Sequence, residues 1–283
     1  MITYSDVNKT YGKITAVSDL NMEIQKGEFF GLLGPNGAGK TSIIRMTMAL
    51  TPPNSGSIEI DGQKIHRDST DIKQKLGIIP QYSNLEADLT AFENLEFHGR
   101  LYGLPKQQRR KRIDELLEFA DLTSRKKDIA RTFSGGMQRK LMIAKTLMHD
   151  PKIMLLDEPT VGLDATTRRK IWDFLRQLKE NGLTIFMTTH YLEEAQALCE
   201  RVGLIDEGKL IMLDSPERII EGAGSFVLDY FQDGKTQQKF FPDRDSAIDA
   251  ATRTEGSIKV RDANLEDVFI KLTNKDLGVR NEI

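Results

Sequence analysis

Two hydrophobic periods alternate along the chain and predict alternating strands and helices. Residues 1–28 are rich in β-branched residues of alternating polarity and are interrupted at Tyr11-Gly12-Lys13, which predicts a strand hairpin. Phe29–Leu33 is a continuous apolar run, typical of a strand covered on both faces. A glycine-rich loop and a helix from about Lys40 follow this strand. Two further strands are predicted, at residues 57–61 and 77–80.

From residue 90 to residue 149 the apolar positions follow the period of a helix. Ile113, Leu116, Leu117 and Ala120 recur at i, i+3, i+4 and i+7, which predicts a helix with one apolar face. Beyond this helical insert, strands and helices alternate again, at residues 152–156, 165–180, 183–188 and 191–199. Such alternation predicts an α/β fold with a parallel sheet covered on both faces.

Proline and glycine mark a predicted domain boundary near residue 220. Pro216 is followed by Glu221-Gly222-Ala223-Gly224, a combination that favours a break in regular structure. The residues beyond it read as two strands, a helix, a strand and a helix. We therefore expect a main domain over residues 1–220, with a helical subdomain at about 82–150. A small C-terminal accessory domain is expected over residues 221–283.

The composition is that of an ordinary globular protein. Of the 283 residues, 39% are hydrophobic and 29% charged, and the net charge of −2 gives no reason to expect nucleic acid as a partner. The single cysteine, Cys199, has no disulfide partner and fits a reducing compartment. The sequence has neither a secretory signal nor an apolar run of the ~20 residues that a membrane helix needs. We therefore expect that it does not cross a bilayer by itself.

The segment Gly34–Thr41 matches the phosphate-loop pattern G-x-x-x-x-G-K-[ST] in full. Its glycines allow a tight turn in which successive amides point at one anion, and the following helix adds its positive end. Lys40 is expected to bridge the β- and γ-phosphates, and Thr41 to place its hydroxyl on Mg²⁺. The predicted nucleotide-binding residues of this loop are Gly34, Pro35, Asn36, Gly37, Ala38, Gly39, Lys40, Thr41 and Ser42.

An apolar strand that ends in two carboxylates follows about 110 residues later. Ile153-Met154-Leu155-Leu156 leads into Asp157 and Glu158. Neighbouring side chains at a strand end point in opposite directions, so the two carboxylates are expected to do different work. Asp157 suits the Mg²⁺ shell, and Glu158 suits a general base that polarises the attacking water.

With these two motifs, and with Phe133-Ser134-Gly135-Gly136-Met137-Gln138 ahead of the acidic strand, the chain resembles the ATP-binding-cassette (ABC) ATPases. The resemblance covers about residues 1–215. It implies a P-loop NTPase fold with a mixed sheet core, an antiparallel β subdomain and a helical insert, followed here by a small C-terminal α+β domain. Two positions depart from the family pattern, because Phe133 replaces the usual leucine and Met137 the usual glutamine. Neither change removes the serine or the glycines that meet phosphate.

The resemblance also implies roles for residues outside the two motifs. The implied set is Tyr11 stacking on adenine, Gln81 sensing Mg²⁺ and the γ-phosphate, the signature residues Ser134, Gly135 and Gly136, Asp164 of the D-loop, and the switch histidine His190. Catalysis is thereby assigned to Glu158, His190, Gln81 and Lys40, and Mg²⁺ to Thr41, Gln81 and Asp157. ATP and Mg²⁺ are the implied cofactors.

Several of these residues also have a structural interpretation that stays open. Ser134 precedes a helix with apolar residues at 137, 141, 144 and 148, so it is expected to cap that helix whether or not the helix start binds an anion. Tyr11 can be a core aromatic beside a turn. His190 can be an ordinary histidine after a strand, although its place at the carboxyl end of a predicted sheet strand favours function. Two anion sites in one chain suggest that two chains share each nucleotide, as in the head-to-tail dimer of the family.

The resemblance narrows the function to an ATPase subunit that serves a separate membrane permease at the cytoplasmic face of the cell membrane. Residues 81–105 and 264–272 look like the detached ATPase subunits of ABC-2-type exporters. The alternative is a non-transport ABC ATPase that acts on a nucleic-acid or ribosomal machine. Repair relatives carry a long inserted coiled coil and ribosomal relatives two cassettes in one chain, and neither feature is present. The run Arg109–Arg112 is expected to be a solvated helix face, and residues 82–89 either a groove for a permease helix or core packing.

Overall fold

The architecture is described from a computed structural model, which covers residues 1–232, 235–254 and 256–273. The strands are β1 (Ile2–Tyr11), β2 (Ile14–Ile24), β3 (Phe29–Leu33), β4 (Ser55–Ile60), β5 (Gln63–Lys64), β6 (Leu76–Ile79), β7 (Ile153–Asp157), β8 (Thr184–Thr189), β9 (Arg201–Asp206), β10 (Lys209–Asp214), β11 (Phe226–Gln232), β12 (Lys235–Phe241) and β13 (Ile258–Asp262). The helices are α1 (Lys40–Thr47), α2 (Thr70–Lys73), α3 (Ala91–Leu101), α4 (Lys106–Phe119), α5 (Gly135–Thr146), α6 (Ala165–Glu180), α7 (Leu192–Leu198), α8 (Pro216–Ala223), α9 (Arg244–Thr252) and α10 (Leu265–Thr273). Short 3₁₀ turns lie at Thr123–Arg125, Ala130–Thr132 and Leu147–His149.

A six-stranded sheet in the order β10-β9-β3-β8-β7-β6 forms the centre of the main part of the chain. Strands β9, β3, β8, β7 and β6 run parallel, and β10 is antiparallel to β9. Every residue of β3, β7 and β8 is buried, as expected for parallel strands covered on both faces and as the continuous apolar run of β3 predicts. Because these strands are parallel, the segments that follow β3, β6, β7 and β8 meet at one edge of the sheet, where α/β proteins bind ligands.

The two faces of this sheet carry different layers. The antiparallel sheet β2-β1-β4-β5 and helix α1 cover one face, in a core that includes Phe30 and Leu32 of β3. The helices of the insert cover the other face, in a core that includes Phe29 and Leu33 of the same strand. The alternation along β3 therefore supplies both cores. Together these layers give the predicted mixed sheet, antiparallel subdomain and helical insert.

The C-terminal part contains a three-stranded antiparallel sheet, β12-β11-β13, with α9 packed against it. The predicted order of two strands, a helix, a strand and a helix is confirmed. Helix α10 packs on α7 and α8, and its Leu265 and Val268 belong to the main core. The predicted boundary at residues 220 and 221 falls inside α8, so the division into domains stays a prediction. Residues 233, 234, 255 and 274–283 of the predicted accessory domain lie outside the described residues.

Burial bears on two surface expectations. Arg109 is not on a solvated face, because it is buried and its guanidinium lies 2.7 Å from Glu96. Tyr82 is 80% exposed, whereas Leu85 packs against the main core, so the segment after Gln81 has both an exposed aromatic and a packing residue. Across the described residues, no helix is both long and apolar enough to span a membrane.

Candidate active site

Glycines shape the phosphate loop between β3 and α1. A Cβ at Gly34 would lie 2.2 Å from the carbonyl oxygen of Ile205, and one at Gly39 would lie 2.2 Å from that of Ala16. Gly39 also has φ 106°, which side chains rarely adopt. The loop therefore turns tightly against β2 and β9 and leads into α1, which begins at Lys40. The amides at the start of this helix have no partner within the helix and suit an anion.

Lys40 lies inside this loop rather than in solvent. Its ammonium donates to the carbonyl oxygens of Gly34 at 2.7 Å and Pro35 at 3.1 Å, and it is 5% exposed. The same ammonium lies 3.5 Å from Oε1 of Glu158. Burial lowers the pKa of Lys40 below its ordinary value, and the negative charge of Glu158 partly opposes that shift. The lysine is thus a buried cation with one carboxylate beside it.

Glu158 lies at the centre of the polar side chains that follow the strands. Its carboxylate contacts Nδ1 of His190 at 3.3 Å and Nε2 of Gln81 at 3.4 Å, in addition to Lys40. The residue has φ 49°, in the left-handed region, and its amide donates to the carbonyl oxygen of Thr188 at 3.0 Å. Burial raises the pKa of Glu158, but the nearby His190 and the charge of Lys40 outweigh it, so the net pKa is lowered. The group is a carboxylate at neutral pH.

Asp157 has a different set of partners, as the alternation of side chains predicts. Its Oδ1 accepts a hydrogen bond from the Thr188 hydroxyl at 2.6 Å and one from the Thr41 hydroxyl at 3.4 Å. A carboxylate beside a hydroxyl is a set of hard oxygen ligands, the kind that Mg²⁺ prefers. Within residues 1–232, 235–254 and 256–273, no three His, Cys, Asp or Glu side chains are grouped so that they could hold a metal. The oxygen ligands of Asp157 and Thr41 fit a cation that completes its shell with phosphate oxygens and water.

Ser134 and Asp164 each cap a helix, and the two helix starts pack together. The Ser134 hydroxyl accepts from the amide of Met137 at 3.3 Å at the start of α5, which confirms the predicted cap. Asp164 accepts from the amide of Thr167 at 2.9 Å at the start of α6. A Cβ at Gly136 would lie 2.4 Å from Cγ2 of Thr167. Gly135 is exposed beside Ser134.

These helix starts are separate from the phosphate loop in the single chain. Among the described residues, no hydrogen bond or ion pair joins Ser134, Gly135, Gly136 or Asp164 to residues 34–42. Tyr11 lies at the end of β1, is 41% exposed, and has the Lys9 ammonium 5.0 Å from its ring centroid. The structure thus groups the predicted catalytic residues, whereas Ser134, Gly135 and Tyr11 are exposed and Gly136 is half-buried.

Three side chains with direct contacts to this region were not predicted. Thr188 holds Asp157 and the amide of Glu158, and Arg139 donates to the carbonyl oxygens of Pro80 at 3.0 Å and Gln81 at 3.1 Å. Glu194 is fully buried and accepts from Thr160, two residues after Glu158. Arg139 and Glu194 each lie on the buried face of an amphipathic helix, and a charge at such a position is the signal that was available.

Comparison with known proteins decides the family. The family model described as "ABC transporter" matches residues 17–161, about half of the chain. The chain belongs to the ABC transporter family. The Nod factor export ATP-binding protein I of Cupriavidus metallidurans is 39% identical over 96% of this chain and 97% of its own length. The linearmycin resistance ATP-binding protein LnrL of Bacillus subtilis is 46% identical over 75% of this chain and 68% of its own length.

A solved structure of the family agrees with the fold and the chemistry. The ATP-binding cassette MJ0796, in a dimeric post-hydrolysis state bound to ADP and Pi, superposes with a TM-score of 0.69 and 33% identity. The match covers 76% of this chain and 98% of that cassette. The chain is therefore an ATP-binding and ATP-hydrolysing subunit with the predicted P-loop ABC fold. The predicted resemblance to exporter ATPase subunits is also confirmed, whereas the roles of individual site residues stay predictions.

Proposed function

We propose that two copies of the chain close head to tail on ATP and that Glu158 of each copy is the general base for hydrolysis. The observation that carries the proposal is the position of the Glu158 carboxylate, within 3.5 Å of Lys40, Gln81 and His190. A base needs to be ionised, held in one orientation and close to the phosphate that is attacked. The lowered pKa keeps Glu158 ionised, and its contacts with Gln81 and His190 hold it in one orientation. Its contact with Lys40 places it beside the phosphate loop.

Hydrolysis then proceeds by direct attack of water on the γ-phosphorus. Glu158 takes a proton from the water as its oxygen bonds to phosphorus, and the bond from phosphorus to the bridging oxygen of ADP breaks. Lys40 leaves its loop carbonyls to bind the β- and γ-phosphates, which offer a stronger, charge-assisted hydrogen bond. His190 and Gln81 orient Glu158 and contact the γ-phosphate. The products are ADP and phosphate.

Mg²⁺ is assigned to the pair formed by Thr41 and Asp157, with Gln81 beside the γ-phosphate. The fit rests on the oxygen ligands of the pair and on their place next to the phosphate loop. Bound there, the ion would neutralise charge on the phosphate oxygens. Thr188 keeps the Asp157 carboxylate in the orientation that faces Thr41.

The second anion site is assigned to the other copy. Ser134, Gly135 and Gly136 form a capped helix start whose amides suit the γ-phosphate, but in the described part of one chain no hydrogen bond or ion pair joins them to the phosphate loop. A head-to-tail dimer brings this helix start of one copy to the nucleotide of the other. The dimeric state of the related cassette supports this arrangement. Tyr11, exposed at the end of β1, is assigned to the adenine ring.

This cycle of ATP binding and hydrolysis drives export through a separate membrane permease of the ABC-2 type. The permease holds the chain at the cytoplasmic face of the membrane. The two relatives named above are an export ATP-binding protein and a resistance ATP-binding protein. The exposed aromatic ring of Tyr82 lies next to Gln81 in the sequence and offers a contact for a permease helix. Through this contact, the permease helix is coupled to the site. Closure on ATP and opening after hydrolysis would move that contact.

Mixing two inactive variants tests whether each site is shared between copies. Lys40→Ala removes the phosphate-loop lysine. Ser134→Asp keeps the helix cap, since Asp caps as well as Ser, but places a negative charge against the γ-phosphate. Each variant alone is expected to be inactive. In a mixture, half of the dimers combine the two variants and each of those has one intact site, so about a quarter of wild-type turnover returns.

Ser215→Asp is the matched control, because Ser215 caps α8 with the same 3.3 Å geometry but lies outside the site. This control should keep wild-type turnover. A mixture of Lys40→Ala and Ser134→Asp that stays inactive, while both variants are folded and the control is active, would contradict the shared site.

A further inference from the structure

Glu194 is a buried carboxyl group that no described step of hydrolysis uses. It lies on α7, one turn after His190, and is 0% exposed. One of its oxygens, Oε1, accepts two hydrogen bonds, from the Thr160 hydroxyl at 2.9 Å and from the Trp172 indole at 3.0 Å. The Thr189 hydroxyl accepts a hydrogen bond from the amide of Tyr191 at 2.9 Å, and it lowers the pKa of the Glu194 carboxyl.

The partners of Glu194 lead to the segments that carry the proposed catalytic side chains. Thr160 is two residues after Glu158, and Thr189 immediately precedes His190. Arg139, whose charge Glu194 stabilises, holds the carbonyl oxygens of Pro80 and Gln81. One carboxyl group thus contacts or attracts residues beside Glu158, beside His190 and, through Arg139, beside Gln81.

A carboxyl group is a costly way to fill this position. Leu192, Ala195 and Leu198 are the other buried residues of α7, and an apolar side chain at position 194 would pack among them without losing hydration. Burial raises the pKa of Glu194, and its hydrogen bonds oppose that rise only in part. Packing alone therefore does not explain a carboxyl group at this position. The partners of its hydrogen bonds indicate that it positions neighbouring segments.

We propose that Glu194 is a positioning residue that fixes the segment 158–160 relative to the turn at 189–190, so that Glu158 and His190 meet in one geometry. The inference rests on the proposed role of Glu158 as the base. Small displacements of a catalytic group lower the rate of the chemical step more than they lower substrate binding. Loss of Glu194 should therefore lower kcat and leave the KM for ATP nearly unchanged.

The test compares Glu194→Ala with Glu194→Gln in steady-state ATP hydrolysis by the full chain. Alanine removes the acceptor of both hydrogen bonds, and we expect kcat to fall by about tenfold or more with KM within about threefold. Glutamine keeps Oε1 for Thr160 and Trp172 and should restore kcat to within about threefold of wild type. A merely structural role predicts loss of melting temperature without this split between kcat and KM.

Two smaller changes keep the test valid if Glu194→Ala does not fold. Thr160→Val and Trp172→Phe each delete one donor to the same oxygen, one from the segment of Glu158 and one from α6. Thr160→Val should lower kcat by roughly fivefold or more, because the deleted bond holds the catalytic segment. Trp172→Phe should lower stability but leave kcat within about twofold.

Equal effects of Thr160→Val and Trp172→Phe on kcat, or a folded Glu194→Ala with wild-type kcat, overturn the inference. Glu158→Gln, measured alongside, separates a failure of the positioning role from a failure of the proposed function. If Glu158→Gln is inactive and Glu194→Ala is not impaired, only the positioning role is wrong. If Glu158→Gln turns over normally, the base assignment fails and the positioning role fails with it.

Discussion

Thr188 gives the sharpest prediction about the site, because its hydroxyl contacts both acidic residues. It donates to Oδ1 of Asp157 at 2.6 Å and accepts from the amide of Glu158 at 3.3 Å, and the residue is fully buried. Thr188→Val keeps the shape of the side chain and removes both contacts. The Glu158 amide keeps its bond to the Thr188 carbonyl oxygen at 3.0 Å, so the principal loss is the hydrogen bond to the Asp157 carboxylate.

The expected loss follows from that one bond. A hydrogen bond to a buried charged group contributes about 2 kcal/mol, so the free energy of unfolding should fall by about that amount. For a chain of this size the melting temperature then falls by roughly 4–8 °C. Since Asp157 also loses the contact that orients it toward Thr41, kcat should fall by about tenfold, equivalent to ~1.4 kcal/mol. ATP hydrolysis and thermal unfolding are measured on the same preparation.

Thr184→Val is the matched control on the same strand. Its hydroxyl is equally buried and accepts from the amide of Gly27 at 2.8 Å, at the end of β8 away from the site. It should cost similar stability and leave kcat unchanged. Equal kcat for Thr188→Val and Thr184→Val would refute the reasoning, since Asp157 would then keep its function without the Thr188 hydroxyl.

Three further predictions concern nucleotide binding, ionisation and packing. Tyr11→Ala should weaken ATP binding by about fivefold or more in calorimetry, and Tyr11→Phe should not, because the ring stacks on adenine; equal affinities would remove that role. Burial raises the pKa of Glu158, but His190 and Lys40 lower it further, so the carboxylate protonates only below its ordinary pKa. His190→Gln should move this protonation to higher pH in a carboxyl ¹³C NMR titration, and an unmoved titration contradicts the assigned contact. Gly136→Ala should cost about 1–3 kcal/mol in urea unfolding, because its Cβ meets Cγ2 of Thr167 at 2.4 Å. Adding Thr167→Ser, which lacks that methyl group, should restore stability, and a double variant as unstable as the single one contradicts the clash.

Much of the fold was predictable because the segments with a clear apolar pattern, whether continuous or periodic, are also the buried ones. Phe29–Leu33 is a strand with every residue buried, and the helix predicted at residues 165–180 has those bounds in the structure. The hairpin of β9 and β10 was not predicted. No residue of β10 is fully buried, so its sequence carries little alternation, and its pairing with β9 depends on the turn at Glu207-Gly208.

The site residues that lie in local sequence motifs were predictable. Those that reach the site only through the fold were not. Lys40, Asp157 and Glu158 lie in motifs that give their position within a strand or loop. Arg139 reaches the Gln81 carbonyl oxygen across 58 residues of sequence, and Glu194 reaches Thr160 across 34. No local pattern encodes such distances, because they follow from the order of strands in the sheet.

The shared nucleotide site is the central claim, and the mass of the Glu158→Gln variant in solution tests it most directly. This substitution keeps the shape of the side chain but removes the base, so bound ATP should persist and hold the closed state. With ATP and Mg²⁺, light scattering should give twice the 32.0 kDa mass of one chain, and with ADP the mass of one chain. A variant that binds ATP by calorimetry yet keeps the mass of one chain at every protein concentration would contradict the account.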